Sequence, residues 1–532
     1  MNTNMKTKIS LKLSVFCLVI LLAGCYSDLD PQDQGGNLLN AANVFKTDAD
    51  FKKGLAKLYA AFAVSGQQGP AGLGDIRGID EGFGQYLRAY WNAQELTTDE
   101  AVIAWNDQTI KDYHWHTWTS SDVFNQALYY RVIYTVSLCN EFIRASTGKS
   151  SGEVKQFRDE ARFLRALAYS HALDLFGSVP FVTEADGVGS TLPRPISREN
   201  LFAYIEKELT DLDAAGLMGA PRFEYARADK AAVWMLLAKL YLNAEVYTGA
   251  SRATDCITNV NKVIAAGYQL TSGSTLFTNA YGKNFLADNH TSPEIIYSIA
   301  FDGSRTQTYG GMTYIINASL GGSMNKDADF GSKSGWSGLR TTPQFVGLFA
   351  TGDGRDMLYR PGQSLDINDI SQFTDGYAVG KFRNRTATGA LAPNVGYDAN
   401  GNTFMDVDFP VFRLADAYLM YAEAVLRGGI GGTPAQALTY VNLLRTRASA
   451  GNITQGQLNL DFILDERGRE LYWEGHRRTD LIRFNKFSGG AYVWQWKGNS
   501  KNGQPTAASR NLFPIPAADL AANPNLVQNS GY

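Results

Sequence analysis

The sequence predicts a mainly α-helical protein whose helices pair into hairpins and carry a loop-rich ligand-binding face. Three observations predict it: apolar blocks with a 3.6-residue period, glycine and proline punctuation that turns one block back on the next, and two long stretches with no period. In block 160–176, Leu164, Leu167, Ala168, His171 and Leu175 share a face, and Gly177 stops the helix before Pro180. In block 231–247, Ala231, Met235, Ala238 and Leu242 line up, small enough for a neighbouring helix to approach closely. Leu414, Tyr418, Ala422 and Val425 repeat the pattern up to Gly428 and Gly429, and Pro434 opens a partner bearing Ala437, Val441 and Leu444. Between about 268 and 409, Gly, Ser, Thr, Asn and Asp dominate, with short strand-like runs such as 294–300. Region 66–119 is similar, Gly-rich and then crowded with Trp91, Trp105, Trp115 and Trp118. Long loop-rich stretches inside a globular chain usually carry function, so the site is expected there.

The N-terminus sets the location. Lys6, Lys8 and Lys12 precede an apolar run over 13–22, and Leu22-Ala23-Gly24-Cys25 closes it. A charged start, a short apolar core and small residues before the cut form a secretory signal, too short to span a membrane. Its end resembles the bacterial lipobox, which implies cleavage before Cys25 and acylation of that cysteine; the alternative is an ordinary secreted protein. Several acyl chains anchor durably, at about 0.8 kcal/mol per buried methylene. No Asp directly follows Cys25, so the inner-membrane retention signal is missing and the outer membrane is expected. Residues 1–24 are therefore read as signal peptide and 25–532 as the mature domain.

Loss of the signal removes three lysines and takes the formal charge from −3 to about −6. Such mild acidity without a basic stripe excludes nucleic acid as a partner. Cys139 and Cys256 remain, both in helical blocks, and are expected as two buried thiols rather than a disulfide.

Glu466, Glu470 and Glu474, spaced as one helix face, look like a carboxylate pair for glycoside hydrolysis. Arg467, Arg469, Arg477 and Arg478 crowd them, however, and ion-paired carboxylates make poor general acids. A structural network is the better reading, and no catalytic residue is assigned. His114 and His116 lack a metal-ligand pattern, and 398–402 (DANGN) starts like a calcium loop but lacks its later ligands, so it reads as a turn; no metal and no cofactor are expected.

Helix, Gly-rich turn and helix with alanines at the crossing points resembles the tetratricopeptide hairpin. Beyond that, segments 160–182 (EARFLRALAYSHALDLFGSVPFV), 227–247 (RADKAAVWMLLAKLYLNAEVY), 408–426 (DFPVFRLADAYLMYAEAVL), 465–484 (DERGRELYWEGHRRTDLIRF) and 512–532 (LFPIPAADLAANPNLVQNSGY) resemble the SusD/RagB lipoproteins. The resemblance implies four tetratricopeptide-like hairpins, an N-terminal part over 25–295 and a C-terminal part over 296–532. It also implies an outer-membrane protein that captures a nutrient and passes it to a SusC-type, TonB-dependent transporter without catalysis.

Segments 92–105 (NAQELTTDEAVIAW), 308–314 (TYGGMTY) and 335–337 (GWS) are closest to the starch-binding members, which hold a curved glucan on three aromatics and a few polar groups. Carried over by position, Tyr309 and Trp336 fall on two of the aromatics and Arg88 on a hydrogen-bonding arginine. The third aromatic falls on Ile103, with Trp105 two residues on as a substitute, and Gln108 stands where a binding asparagine is expected. Aromatic faces suit the C–H faces of pyranose rings, while Arg, Gln and Asn select hydroxyls. Trp91, Trp115 and Trp118 are each expected in the core. Two classes stay open here: a binding lipoprotein for glycan, or for peptide or another nutrient, and a lipid-anchored glycosidase.

Overall fold

A computed structural model describes residues 44–107, 109–187, 189 and 191–532. The signal sequence, Cys25 and Gln108 lie outside the described residues. The chain divides into two units, Met1–Asp50 and Phe51–Tyr532, and the architecture belongs to the second.

The second unit is mainly helical, and among the described residues no strand exceeds five residues. Its scaffold is a row of helices in which each packs on the next: Val123–Ser146 on Gly152–Leu175, then Arg198–Ala215, Lys230–Leu242, Ala253–Ala265, Leu414–Leu426 and Pro434–Arg447. Caps explain where these helices start. Asp122 accepts the N–H groups of Phe124 and Asn125 at 2.9 Å, and Asp229 those of Ala231 and Ala232 at 2.8 and 3.1 Å. Gly177 and Gly428 take the left-handed conformation (φ +73° and +84°) just past their helices, so both expected stops are where the chain turns. Block 231–247 is interrupted at Asn243 and resumes as Ala244–Thr248. Among the described residues, three pairs of consecutive helices in this row pack together as hairpins, and Ala253–Ala265 packs on both Lys230–Leu242 and Leu414–Leu426.

The loop-rich stretch starts and ends at one place. Ile295–Ile299, inside the expected strand 294–300, pairs antiparallel with Phe409–Arg413, with Phe409 opposite Ile299 and Arg413 opposite Ile295. The chain leaves this two-stranded root, builds the loops, and returns directly into helix Leu414–Leu426.

The acidic row is structural. Arg413 pairs with Glu294, Glu470 and Glu474 at 2.8, 2.7 and 2.6 Å, Arg355 with Glu466 at 2.8 Å, and Lys381 with Glu474 at 2.7 Å, all buried. Burial alone raises the pKa of Glu470, but Arg447, Arg413 and Arg355 hold it down at about 2, so it cannot serve as a general acid. One expectation needs correcting: the helix ends at Leu471, and Glu474 lies beyond Trp473 (φ +63°), off the shared face. Arg413 and Lys381 draw it back into the network.

Cys139 and Cys256 are buried free thiols. Burial pushes the Cys139 thiol up to about 12, which makes it inert. His116 Nε2 donates to the Thr97 carbonyl at 2.7 Å and His114 Nε2 to that of Gln495 at 2.8 Å, both buried. Among the described residues no group of three or more His, Cys, Asp or Glu is placed to hold a metal.

Candidate functional site

Arg88 sits on the short helix Tyr86–Trp91, whose start is capped by Gln85. The Gln85 Oε1 accepts the N–H of Arg88 at 2.8 Å and that of Gly311 at 2.7 Å, while its Nε2 donates to the Phe62 carbonyl at 2.6 Å. One buried amide thus ties the Arg88 helix to the start of helix Gly311–Ser319, which follows Tyr309. A Cβ on Gly310 would stand 2.3 Å from that of Gln85, so glycine is required for the approach.

Tyr309, Trp336 and Trp105 are half-buried and joined by hydrogen bonds. The Tyr309 hydroxyl donates to Asp398 Oδ2 at 2.8 Å. The Asn402 Nδ2 donates to the same oxygen at 2.8 Å, and its Oδ1 accepts the Trp336 indole N–H at 3.1 Å. The Trp105 indole N–H donates to the Trp336 carbonyl at 3.0 Å, and the two rings lie 6.3 Å apart at 46°. Arg88 closes the circuit, donating to the Tyr309 carbonyl at 3.1 Å with its guanidinium 5.9 Å from the Trp105 ring and 4.2 Å from that of Tyr314. Burial and the hydrogen bond to Asp398 push the Tyr309 phenol up to about 12, so it stays protonated and donating.

The structure therefore joins four of the five residues expected from sequence, while Gln108 lies outside the described residues. Two expectations change. Ile103, the match to the third aromatic, is fully buried in a strand opposite Leu339, so the ring beside Trp336 belongs to Trp105. Arg88, expected as a hydrogen-bonding arginine for the glycan, is only 8% exposed and donates to the Tyr309 carbonyl. It borders a hollow of about 500 Å³ lined also by Ile79, Asp80, Phe83, Asp107 and Phe124.

Trp91 and Trp118 are core residues, as expected, and Trp115 is half-buried. Sequence reasoning missed Gln85, Tyr314, Asp398 and Asn402. The last two were visible as a turn, and this is confirmed: Asp398 caps it, between the paired strands Gly396–Tyr397 and Thr403–Phe404. Nothing local indicated that its side chains reach two aromatics far along the chain.

Comparison with known proteins gives the family. The profile described as "SusD family" matches residues 357–532, and one described as "Starch-binding associating with outer membrane" matches 81–242. The "Starch-binding protein SusD" of Bacteroides thetaiotaomicron is 34% identical over 99% of this chain and 100% of its own length. "SusD-like protein P2" of Formosa agariphila is 25% identical over 98% of this chain and 99% of its own. Among solved structures, "Surface glycan-binding protein A" of Bacteroides thetaiotaomicron in complex with laminarihexaose superposes with a TM-score of 0.68 at 18% identity, covering 91% of this chain and 100% of that one. SusD and the surface glycan-binding protein are binding proteins, not enzymes. With identity at this level from one end to the other, the chain belongs to the SusD family.

Proposed function

We propose that this chain is a lipid-anchored, surface-exposed protein of the outer membrane that binds a starch-like α-glucan and hands it to a SusC-type, TonB-dependent transporter. Residues 1–24 are the signal, Cys25 carries the lipid, and 25–532 is the mature domain. Its part 25–295 contributes Arg88, Trp105 and Gln108 to the binding face, and its part 296–532 contributes Tyr309 and Trp336.

The observation that carries the reading is the tied set of rings. Trp105, Tyr309 and Trp336 are half-exposed, rigidly held and grouped beside a buried arginine, which suits stacking against successive pyranose faces. The overall similarity to the starch-binding SusD supports an α-glucan over other glycans. A protein that only binds leaves its ligand outside the cell, so uptake needs a barrel to receive it.

Calorimetry with maltoheptaose on the mature chain in detergent tests the site. Trp336→Ala should weaken binding at least ten-fold, with little change in melting temperature, because a half-exposed ring leaves no core cavity. A buried Trp→Ala change costs about 3–5 kcal/mol of stability instead. Full glucan affinity in a folded Trp336→Ala variant overturns the assignment.

A further inference from the structure

The bonds that hold the aromatic rings converge on a turn to which none of the rings belongs. Asp398 Oδ1 accepts the backbone N–H groups of Asn400 and Asn402 at 2.9 and 2.8 Å, which fixes the carboxylate to its own turn. Oδ2 takes two further donors, the Tyr309 hydroxyl and the Asn402 amide, each at 2.8 Å. Asn402 then presents its carbonyl oxygen to the Trp336 indole at 3.1 Å. An amide that donates at one end and accepts at the other has its orientation set by its partners, and no carboxylate replaces it there. The Asp398 carboxyl experiences slight burial, which raises its pKa, but the hydrogen bonds from Asn402 and Tyr309 hold it below the usual carboxylate range, so it is ionised at neutral pH.

We infer that Asp398 and Asn402 are positioning residues of the glycan-binding face: they contact the rings rather than the sugar and fix the tilt at which Tyr309 and Trp336 meet it. The inference rests on the reading of those rings as the binding face. An aromatic side chain on a loop turns about two torsions, and freezing that motion at the moment of binding costs affinity. The Asp398–Asn402 pair removes the motion beforehand. It also takes the Tyr309 O–H and the Trp336 indole N–H, and the Trp336 carbonyl takes the Trp105 indole N–H, so each polar hydrogen of the three rings has a partner within the protein. No ring donor remains for a ligand, only the ring faces and the acceptor side of the Tyr309 oxygen. The three rings therefore read the apolar face and curvature of a glycan, and hydroxyl selection falls to other groups.

The test is maltoheptaose calorimetry on the full mature chain, with thermal melting in parallel. Asp398→Ala and Tyr309→Phe should each weaken binding about five- to ten-fold, the equivalent of one net hydrogen bond. Combined, they should lose no more than the larger single loss, because both remove the same link. Asn402→Asp places a second carboxylate 2.8 Å from the first and should weaken binding further. Adding Asp398→Asn to Asn402→Asp inverts the acid–amide pair: the amide at 398 then donates to the carboxylate at 402 and to the Tyr309 oxygen, which accepts instead of donating, and most of the affinity should return, a rescue that generic loss of fold cannot give. Wild-type affinity in Asp398→Ala and Asn402→Asp, with binding lost in Trp336→Ala, overturns the positioning role and leaves the binding face intact. Additive losses in the double variant, or no rescue, also overturn it. Full affinity in Trp336→Ala removes the binding face itself. If the turn variants fail to fold, Tyr309→Phe keeps both ring and turn, and unchanged binding there overturns the inference.

Discussion

Gly338 is the place where one methyl group should cost glycan binding. A Cβ built there stands 2.6, 2.7 and 2.9 Å from Cε2, Cζ2 and Nε1 of Trp105, where ordinary contacts begin at 3.4 Å. The backbone cannot yield, because the Gly338 N–H donates to Ala318 at 2.7 Å and its carbonyl accepts from Ala104 at 2.9 Å. The indole has to retreat by roughly 1 Å, which stretches its 3.0 Å bond to the Trp336 carbonyl beyond useful range. Loss of that bond and of the ring's placement is worth about 1–2 kcal/mol, or roughly five- to thirty-fold in Kd. Calorimetry on Gly338→Ala, with Trp105→Ala alongside and melting curves for both, reads this directly. Wild-type affinity in Gly338→Ala, with binding lost in Trp105→Ala, would refute the reasoning, because the ring would then work equally well displaced.

Two further outcomes are expected. Ile103→Trp should lower the melting temperature without strengthening glucan binding, since overpacking a filled core costs about 1–3 kcal/mol; a stable variant with tighter binding would put position 103 on the binding face after all. Glu95 gives stability a pH dependence. Its Oε1 accepts the N–H of His476 at 3.0 Å in the core, and burial pushes this carboxyl, and that of the neighbouring buried Glu100, well above the ordinary value near 4.5. The folded state then holds an extra proton, so this stability is full below about pH 4.5 and is lost as pH rises through the raised folded value, with a slope of up to about 1.4 kcal/mol per pH unit. Denaturant midpoints between pH 5 and 8 should fall more steeply for wild type than for Glu95→Gln, and parallel curves would rule the effect out.

The scaffold was legible because its signals are local. The face Leu164, Leu167, Ala168 and Leu175, the stops at Gly177 and Gly428 and the start at Pro434 need only a few neighbouring residues to be read. Helix Gly311–Ser319 escaped for a physical reason: every one of its residues is buried, so it carries no polar stripe to reveal a period. Of the candidate site, Tyr309 and Trp336 lie in motifs visible in the sequence and Arg88 follows from them by position, but the choice between Ile103 and Trp105 was not legible. Both Val102 and Ile103 are buried in a two-residue strand, so in/out alternation gives no cue there. Asp398 and Asn402 declared a turn, while their work is done with Tyr309 and Trp336, which only the fold brings near.

The ion pairs at the root of the loops bear on how such a protein changes its ligand. Arg355 and Lys381 reach from the loops to Glu466 and Glu474, and Arg413 seals the return strand to Glu470 and Glu474. Removing one member of such a pair strands a charge in the interior at a cost of about 3–5 kcal/mol. The bases of the loops are thus expensive to alter, whereas a tip such as 398–402 is held to Tyr309 and Trp336 by hydrogen bonds rather than by buried ion pairs. Mutation can recut the outer edge, ring by ring and turn by turn, while an electrostatic lock underneath keeps each new edge seated on an unchanged frame.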